Sequence, residues 1–197
     1  MWDGLIADLP GAHILQTWEW GRIKQSYGWE PVPYTWQDEQ GKTGAAAMVL
    51  QRKVSMLGLT LPLRVLYVPR GPLVDWSSPE WRKRVITELQ ALSRLPDVVF
   101  IKIDPEVVTG FGIPVMADAV ETSSGSVVQS ALKEHGWRYS SEQIQFKNTV
   151  WVDLNYSEAE LLARMKQKTR YNLNLAQRKG VIVRIGDVCD LDVLYRL

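Results

Sequence analysis

The sequence predicts an α/β fold, on three observations. Two β-rich runs, Glu30 to Gln37 and Gly44 to Val54, are separated by only the short turn Asp38-Glu39-Gln40-Gly41, which pairs them antiparallel. Helix-forming stretches then alternate with further β-rich runs. The chain has 197 residues, 46% hydrophobic and 23% charged, the balance of a globular protein with one ordinary core and room for part of a second.

The elements follow in order. Gln16 to Tyr27 reads as a short helix, with Trp18 or Glu19 near its start and Gly28 just after its end. After the paired strands, Met56 to Leu63 reads as an apolar connection, and Val65 to Val68 starts a strand that runs into the rigid loop Pro69-Arg70-Gly71-Pro72. Ser78-Pro79-Glu80 opens a helix, with proline in the first turn where its missing N–H does no harm. Trp81, Val85, Leu89 and Leu92 mark its buried face. Asp97 to Asp104 predicts an inner strand, and a loop carrying Gly110, Gly112, Pro114 and Gly125 follows. Val127 to His135 predicts a helix ended by Gly136, and Gln143 to Leu154 a strand that leaves the first unit.

At Ser157 the pattern changes. Ser157-x-x-Glu160 is a capping box, and the helix it starts is predicted to run from 158 to 179, with Gly180 as its left-handed cap. A strand over Val181 to Ile185 and a helix from Asp190 to Leu197 complete the reading. We therefore expect a first domain over residues 1–148 and the incomplete start of a second over residues 149–197, because those 49 residues are too few to bury a core of their own.

Net charge is +1, so any nucleic acid or membrane partner would have to be met by a local patch. The lone Cys189 excludes an internal disulfide and fits a reducing compartment. Met1 to Gln16 lacks a signal peptide's basic and apolar regions, and no apolar run approaches the ~18 residues that span a bilayer. The reading is a cytoplasmic protein with no metal site.

The stretch from Arg164 to Arg184 holds Arg164, Lys166, Lys168, Arg170, Arg178, Lys179 and Arg184 and no acid. On a helix, Lys166, Arg170 and Asn174 share one face, and Arg164, Lys168 and Tyr171 a neighbouring one. Such a surface suits phosphate, from a nucleotide diphosphate or an RNA backbone; on charge alone it equally suits a solvated helix face. No G-x-S-x-G is present, and Cys189 has no nearby histidine in sequence. His13 and His135 lie outside every motif and read as turn or helix-end residues. Asp104 and Glu106 end a strand, where a carboxylate more often forms a turn than acts as a base.

Four ordered segments resemble the FemABX family. They are Leu15-Gln-Thr-Trp-Glu-Trp-Gly-Arg-Ile-Lys24 with Gly28-Trp29, Tyr67-Val-Pro-Arg-Gly-Pro72, Ile101-Lys-Ile-Asp-Pro-Glu106, and the basic stretch with Lys166-x-Lys168-Thr169-Arg170-x-Asn172. The resemblance implies tandem GNAT-like (acyl-CoA N-acyltransferase-like) domains, each a mixed sheet flanked by helices. It implies transfer of an amino acid from aminoacyl-tRNA, a co-substrate rather than a cofactor, to the stem peptide of a UDP-linked or lipid-linked peptidoglycan precursor. A lipid-linked precursor would bring peripheral membrane contact. By motif position it implies that Lys24 and Arg170 hold the precursor diphosphate, with Thr169, Tyr171 and Tyr67 as neighbours, and that Lys166 and Lys168 contact phosphate or tRNA. No catalytic base is implied, because the ester is already activated and positioning supplies much of the rate.

Two rival readings carry distinguishing features. A CoA-dependent N-acetyltransferase shares the fold and needs a glycine-rich loop opening a helix, for which only Gly110-Phe-Gly112 offers a partial match. A non-catalytic nucleic-acid-binding or scaffold fragment would use the basic helix, where Tyr171 is a lone aromatic for base stacking.

Overall fold

The computed structural model describes residues 1–56, 58–112, 116–117, 119–150 and 152–196. The chain divides into two compact units, Met1–Lys147 and Asn148–Leu197.

The first unit is organised on one strand. β2 (Thr43–Met56) pairs antiparallel with β1 (Glu30–Gln37) on one side and with β3 (Leu59–Val68) on the other. Its alternate residues face two cores. Ala45, Ala47 and Val49 pack with Trp36, Leu66 and Val68 and with Val85 and Leu89 of α3 (Pro79–Leu92). On the opposite face Ala46 meets Ile6 of α1 (Trp2–Ala7), Leu9 and Leu73, while Met48 and Leu50 meet Tyr67. A strand buried on both faces reads as a continuous apolar run, and the small Ala45-Ala46-Ala47 side chains let helices approach from either side.

β5 (Val98–Ile103) pairs parallel with β3, making a mixed sheet of order β1-β2-β3-β5. A short β4 (Leu73–Val74) rejoins the edge of β2 beyond β3. The β1–β2 pair and the start and capping of α3 match the expectation from sequence, Ser78 Oγ accepting from the Trp81 N–H.

Several boundaries differ, each for a physical reason. The first helix divides into a 3-10 turn, Ile14–Gln16, and α2 (Trp18–Gln25), because the Thr17 side chain accepts from the Trp20 N–H and fixes the helix start there. The expected connection over Met56 to Leu63 is the return strand of a hairpin, from Leu59 onward, with Leu57 outside the described residues; its leucines and Pro62 obscure the alternation. β5 pairs only with β3 among the described residues and exposes Val99 and Phe100, so it is an edge strand rather than an inner one.

α4 (Ser123–Glu134) begins at the Thr122 cap, four residues before Val127, and includes Gly125. A Cβ on Gly125 would lie 2.5 Å from Thr109 Cα, so glycine serves close packing there rather than a loop. Gly110–Phe111 forms a two-residue strand, β6, paired with β7 (Val120–Glu121); Pro114 lies outside the described residues. The described residues of 143–154 form no strand, and Trp151 lies outside them. That segment's alternation is a strand pattern without a partner, leaving Phe146, Val152 and Leu154 exposed.

The second unit is helical. α5 (Glu158–Arg164) starts at the capping box formed by Ser157 and Glu160. The helix expected over 158–179 is interrupted: Met165 is extended, and α6 (Gln167–Arg178) restarts after Lys166. Neither proline nor glycine marks this break. Arg170 stabilises it by donating from Nη1 to Ala163 O at 3.0 Å and to Met165 O, two carbonyls that the end of α5 leaves unpaired. Residues 181–185 form no strand, and the expected helix from Asp190 is a 3-10 turn (Val188–Asp190) leading into α7 (Leu191–Leu194). Leu197 lies outside the described residues.

Gly44 tests the packing of α3 on β2, since a Cβ there would lie 2.2 Å from Trp81 Cζ2. Gly44→Ala is expected to destabilise the chain by about 1–3 kcal/mol through overpacking. A lower urea midpoint at unchanged slope checks this.

Candidate functional site

The residues singled out in the first unit converge on the ends of α2, β3 and β5. Lys24 sits in the last turn of α2. That turn is closed by Gly28 at φ 80, with Gly28 N donating to Gln25 O at 3.1 Å and Trp29 N to Lys24 O at 3.1 Å, a Schellman arrangement. The closure fixes Lys24 and Trp29 relative to each other. Lys24 Nζ lies 4.9 Å from the centroid of the Trp20 ring, within cation–π range. Trp20 Nε1 is shielded from solvent and has no acceptor among the described residues.

Trp29 in turn leans on Tyr67, their ring centroids 6.5 Å apart, and the Arg52 guanidinium lies 5.8 Å from the Trp29 ring. Tyr67 is nearly fully buried near the end of β3. Its hydroxyl donates to Asp104 Oδ2 at 3.3 Å and accepts from Gln145 Nε2 at 3.3 Å. Burial first, and the neighbouring Asp104 charge with it, push the phenol up to about 12 against the opposing Gln145 bond, so Tyr67 is a neutral donor at physiological pH.

β3 and β5 run parallel, and their carboxyl ends carry Tyr67, Arg70, Lys102 and Asp104. The segment after α4 crosses these ends. Lys102 Nζ donates to Glu142 O at 2.6 Å and to Ser140 Oγ at 3.2 Å, and Arg70 Nη2 donates to Phe146 O at 3.1 Å. Beside Arg70 opens a cleft of about 310 Å³, with Pro72, Trp76, Glu106 and Ser124 among its walls.

Beneath this surface the fully buried Gln16 spans the break between β3 and β4. Its Nε2 donates to Pro69 O at 2.5 Å, and its Oε1 accepts from Met48 N at 2.7 Å. Sequence reasoning assigns Gln16 no role, reads Asp104 as a turn-former and assigns Gln145 no role. A glutamine inside the Leu15-to-Lys24 motif was the available signal for the first; the other two join Tyr67 across 37 and 78 residues of chain.

In the second unit Thr169, Tyr171, Lys166 and Lys168 are exposed on or beside α6, and Arg170 is half-buried against the end of α5. Lys166 occupies the N-cap position of α6, with a non-helical ψ of 146. Arg164 does not join Lys168 and Tyr171, because it lies on α5, where its guanidinium stacks 4.0 Å from the Tyr156 ring centroid. Arg184 forms a two-point pair with Asp190, at 2.8 and 2.5 Å, and is withdrawn from the basic set. Gly110 and Phe111, the partial match to a CoA loop, lie in β6 rather than in a loop opening a helix.

A mixed sheet flanked by helices, with the candidate side chains at the ends of a parallel strand pair, defines a GNAT-like fold. The crystal structure of FemX superposes on all of this chain with a TM-score of 0.71 at 22% identity, using 46% of that chain. The FemAB family model matches residues 6–197, and the chain belongs to that family. The lipid II:glycine glycyltransferase of Staphylococcus aureus is 25% identical over 195 residues, covering 94% of this chain and 41% of that protein. The same similarity recurs for that enzyme in further strains, including USA300. The chain thus spans less than half the length of these relatives. Among the described residues, no helix is long and apolar enough to cross a membrane.

Tyr67 gives the site a pH signature. A phenol raised from about 10 to about 12 on folding leaves stability intact below pH 10 and erodes it as pH climbs through 12, because the unfolded chain ionises first. Ultraviolet titration should show one tyrosine ionising late, and Tyr67→Phe should remove that late component and flatten stability over this interval.

Proposed function

We propose that this protein transfers an amino acid from aminoacyl-tRNA to the stem peptide of a peptidoglycan precursor, forming part of an interpeptide bridge. Membership of the FemAB family over residues 6–197 carries the reading. The S. aureus relative is a glycyltransferase acting on lipid II, which favours a lipid-linked acceptor and a site on the cytoplasmic side of the membrane, where charged tRNA is found. In this reading residues 1–148 are the first GNAT-like domain and residues 149–197 the start of a second.

The chemistry asked of the protein is modest. The acceptor amine attacks the ester carbonyl carbon, the bond to the ribose oxygen breaks, an amide forms, and the amine's proton ends on the released ribose hydroxyl. Alignment and charge placement therefore matter most, and alignment alone supplies on the order of 7 kcal/mol in favourable cases. Lys24, fixed by the closed end of α2 and backed by Trp20, is the proposed phosphate contact of the first domain. Tyr67, in contact with Trp29 after that turn, stays neutral, with its O–H given to Asp104 and its oxygen accepting from Gln145. On α6, Arg170 keeps Nε and Nη2 clear of other bonds among the described residues while Nη1 holds the α5 carbonyls, which leaves an edge for two parallel bonds to a diphosphate. Thr169 and Tyr171 are its neighbours, and Lys166 and Lys168 are the proposed contacts to tRNA or phosphate.

Titration of the complete protein with a UDP-linked muropeptide tests this assignment. Lys24→Ala and Arg170→Lys are each expected to weaken binding by about 1–3 kcal/mol, the range for charge-assisted bonds. Arg178→Lys, whose Nε bonds only the Asn174 carbonyl of its own helix, is expected to change little. Equal small losses at Arg170 and Arg178 would reduce α6 to a diffuse basic surface. Far-UV circular dichroism separates loss of the α5–α6 junction from loss of a ligand contact.

A further inference from the structure

The hairpin of β2 and β3 reaches beyond the rest of its sheet. β1 pairs with β2 only as far as Gln51, and β5 pairs with β3 only from Arg64. Arg52–Met56 and Leu59–Leu63 therefore continue as a two-stranded ribbon, paired through Ser55 with Thr60 and Met56 with Leu59. Five residues of strand carry it roughly 17 Å past the neighbouring strands.

An isolated two-stranded ribbon in water is marginally stable and normally polar. Residues 54–63 of this one contain no charged side chain, and the polar side chains among them are Ser55 and Thr60, whose hydroxyl oxygens lie 3.5 Å apart across the ribbon. Leu59 is 70% exposed. The register shifts between Lys53 and Ser55, so Leu61, Pro62 and Leu63 stand opposite Val54 alone, with Leu61 and Leu63 half-buried, and at the base Phe100, opposite Val65 in the register, is 51% exposed. An open concavity of about 500 Å³ runs alongside, with Lys53, Leu61, Leu63, Arg64 and Asp97 among its walls.

Within the hairpin's own sequence the charged side chains are all cations. From Lys42 to Val74 the sequence holds Lys42, Arg52, Lys53, Arg64 and Arg70 and no acid. Arg64 is paired with Asp97 at 2.9 Å, while Arg52 and Lys53 stay exposed where the ribbon leaves the sheet. Leucines at the end of a projection with cations at its base match the layering of an anionic bilayer, hydrocarbon under a negative headgroup surface. We propose that this ribbon is a membrane-contact element that seats the protein on an anionic phospholipid surface. The proposal rests on the reading above for the presence of a membrane at the acceptor, since a lipid-linked precursor lies at one. The ribbon shares a strand with Tyr67, so the contact also sets the distance from the bilayer to the candidate site.

Flotation with vesicles tests it without any precursor. The chain is expected to float with phosphatidylglycerol–phosphatidylcholine vesicles and far less with phosphatidylcholine alone. Leu59→Glu, at an exposed position and checked for folding by circular dichroism, should reduce partitioning on the order of tenfold. Lys53→Gln should reduce it about fivefold, and only on the anionic vesicles. Wild-type protein that stays unbound on both compositions, or Leu59→Glu that floats as well as wild type, would overturn the proposal. So would a leucine-dependent dimer in sedimentation velocity with no vesicle binding, which makes the ribbon's partner a second copy. Flotation by a protein that binds no muropeptide precursor would support the membrane contact and remove the acceptor reading. Precursor binding without flotation would remove the membrane contact alone.

Discussion

The side chain of Gln16 is the tie on which the arrangement of the first unit depends. β3 and β4 together form one antiparallel partner of β2, but the register slips between Leu50↔Tyr67 and Ala46↔Leu73, where Pro69-Arg70-Gly71-Pro72 bulges out. The bulge opens the ladder at Met48 N and Pro69 O. Gln16 supplies a donor and an acceptor in their place, inside a core with no water access. An unpaired buried group of this kind costs about 1–3 kcal/mol, so losing the amide would strand two. Gly71 leaves the room for it: a Cβ there would sit 2.8 Å from Gln16 Nε2.

That tie has functional reach because of where Gln16 sits in the chain. Its backbone carbonyl accepts from Trp2 Nε1 at 2.7 Å, and two residues later α2 begins. The same residue thus locates α1, the start of the helix that carries Lys24, the central strand, and the loop that carries Arg70. Lys24, Trp29 and Tyr67 lie on side chains and turns referenced to this point. Small residues at Ala45-Ala46-Ala47 allow helices on both faces of the sheet, and the parallel β3–β5 pair brings Tyr67 and Asp104 together at its carboxyl end.

Local signals were legible in the sequence wherever local physics decides the structure. Ser78-Pro79 started α3, Ser157 and Glu160 built the capping box, and Gly28, Gly136 and Gly180 ended their helices with positive φ. The motif carrying Lys24 sat on a helix, as read. What stayed hidden depends on distant partners. Asp104 looked like a turn-former because its hydroxyl partner, Tyr67, is 37 residues away. The ribbon of Leu59 to Leu63 looked like a connection, because leucine-rich strands lack a clear polar alternation. The break at Met165 carries no glycine or proline, and its stabilising contact comes from Arg170, the very residue singled out for ligand binding. That one nitrogen closes two carbonyls at the break is a structural role that spacing along the helix does not reveal.

The central claim is that the chemistry is aminoacyl transfer from tRNA rather than acetyl transfer from CoA, two activities that one fold accommodates. The most direct measurement incubates the complete protein with a peptidoglycan precursor and either tRNA charged with a labelled amino acid or labelled acetyl-CoA. The account predicts label in the precursor from the charged tRNA alone, abolished by prior ribonuclease treatment. Label carried from acetyl-CoA, with none from charged tRNA, would contradict it.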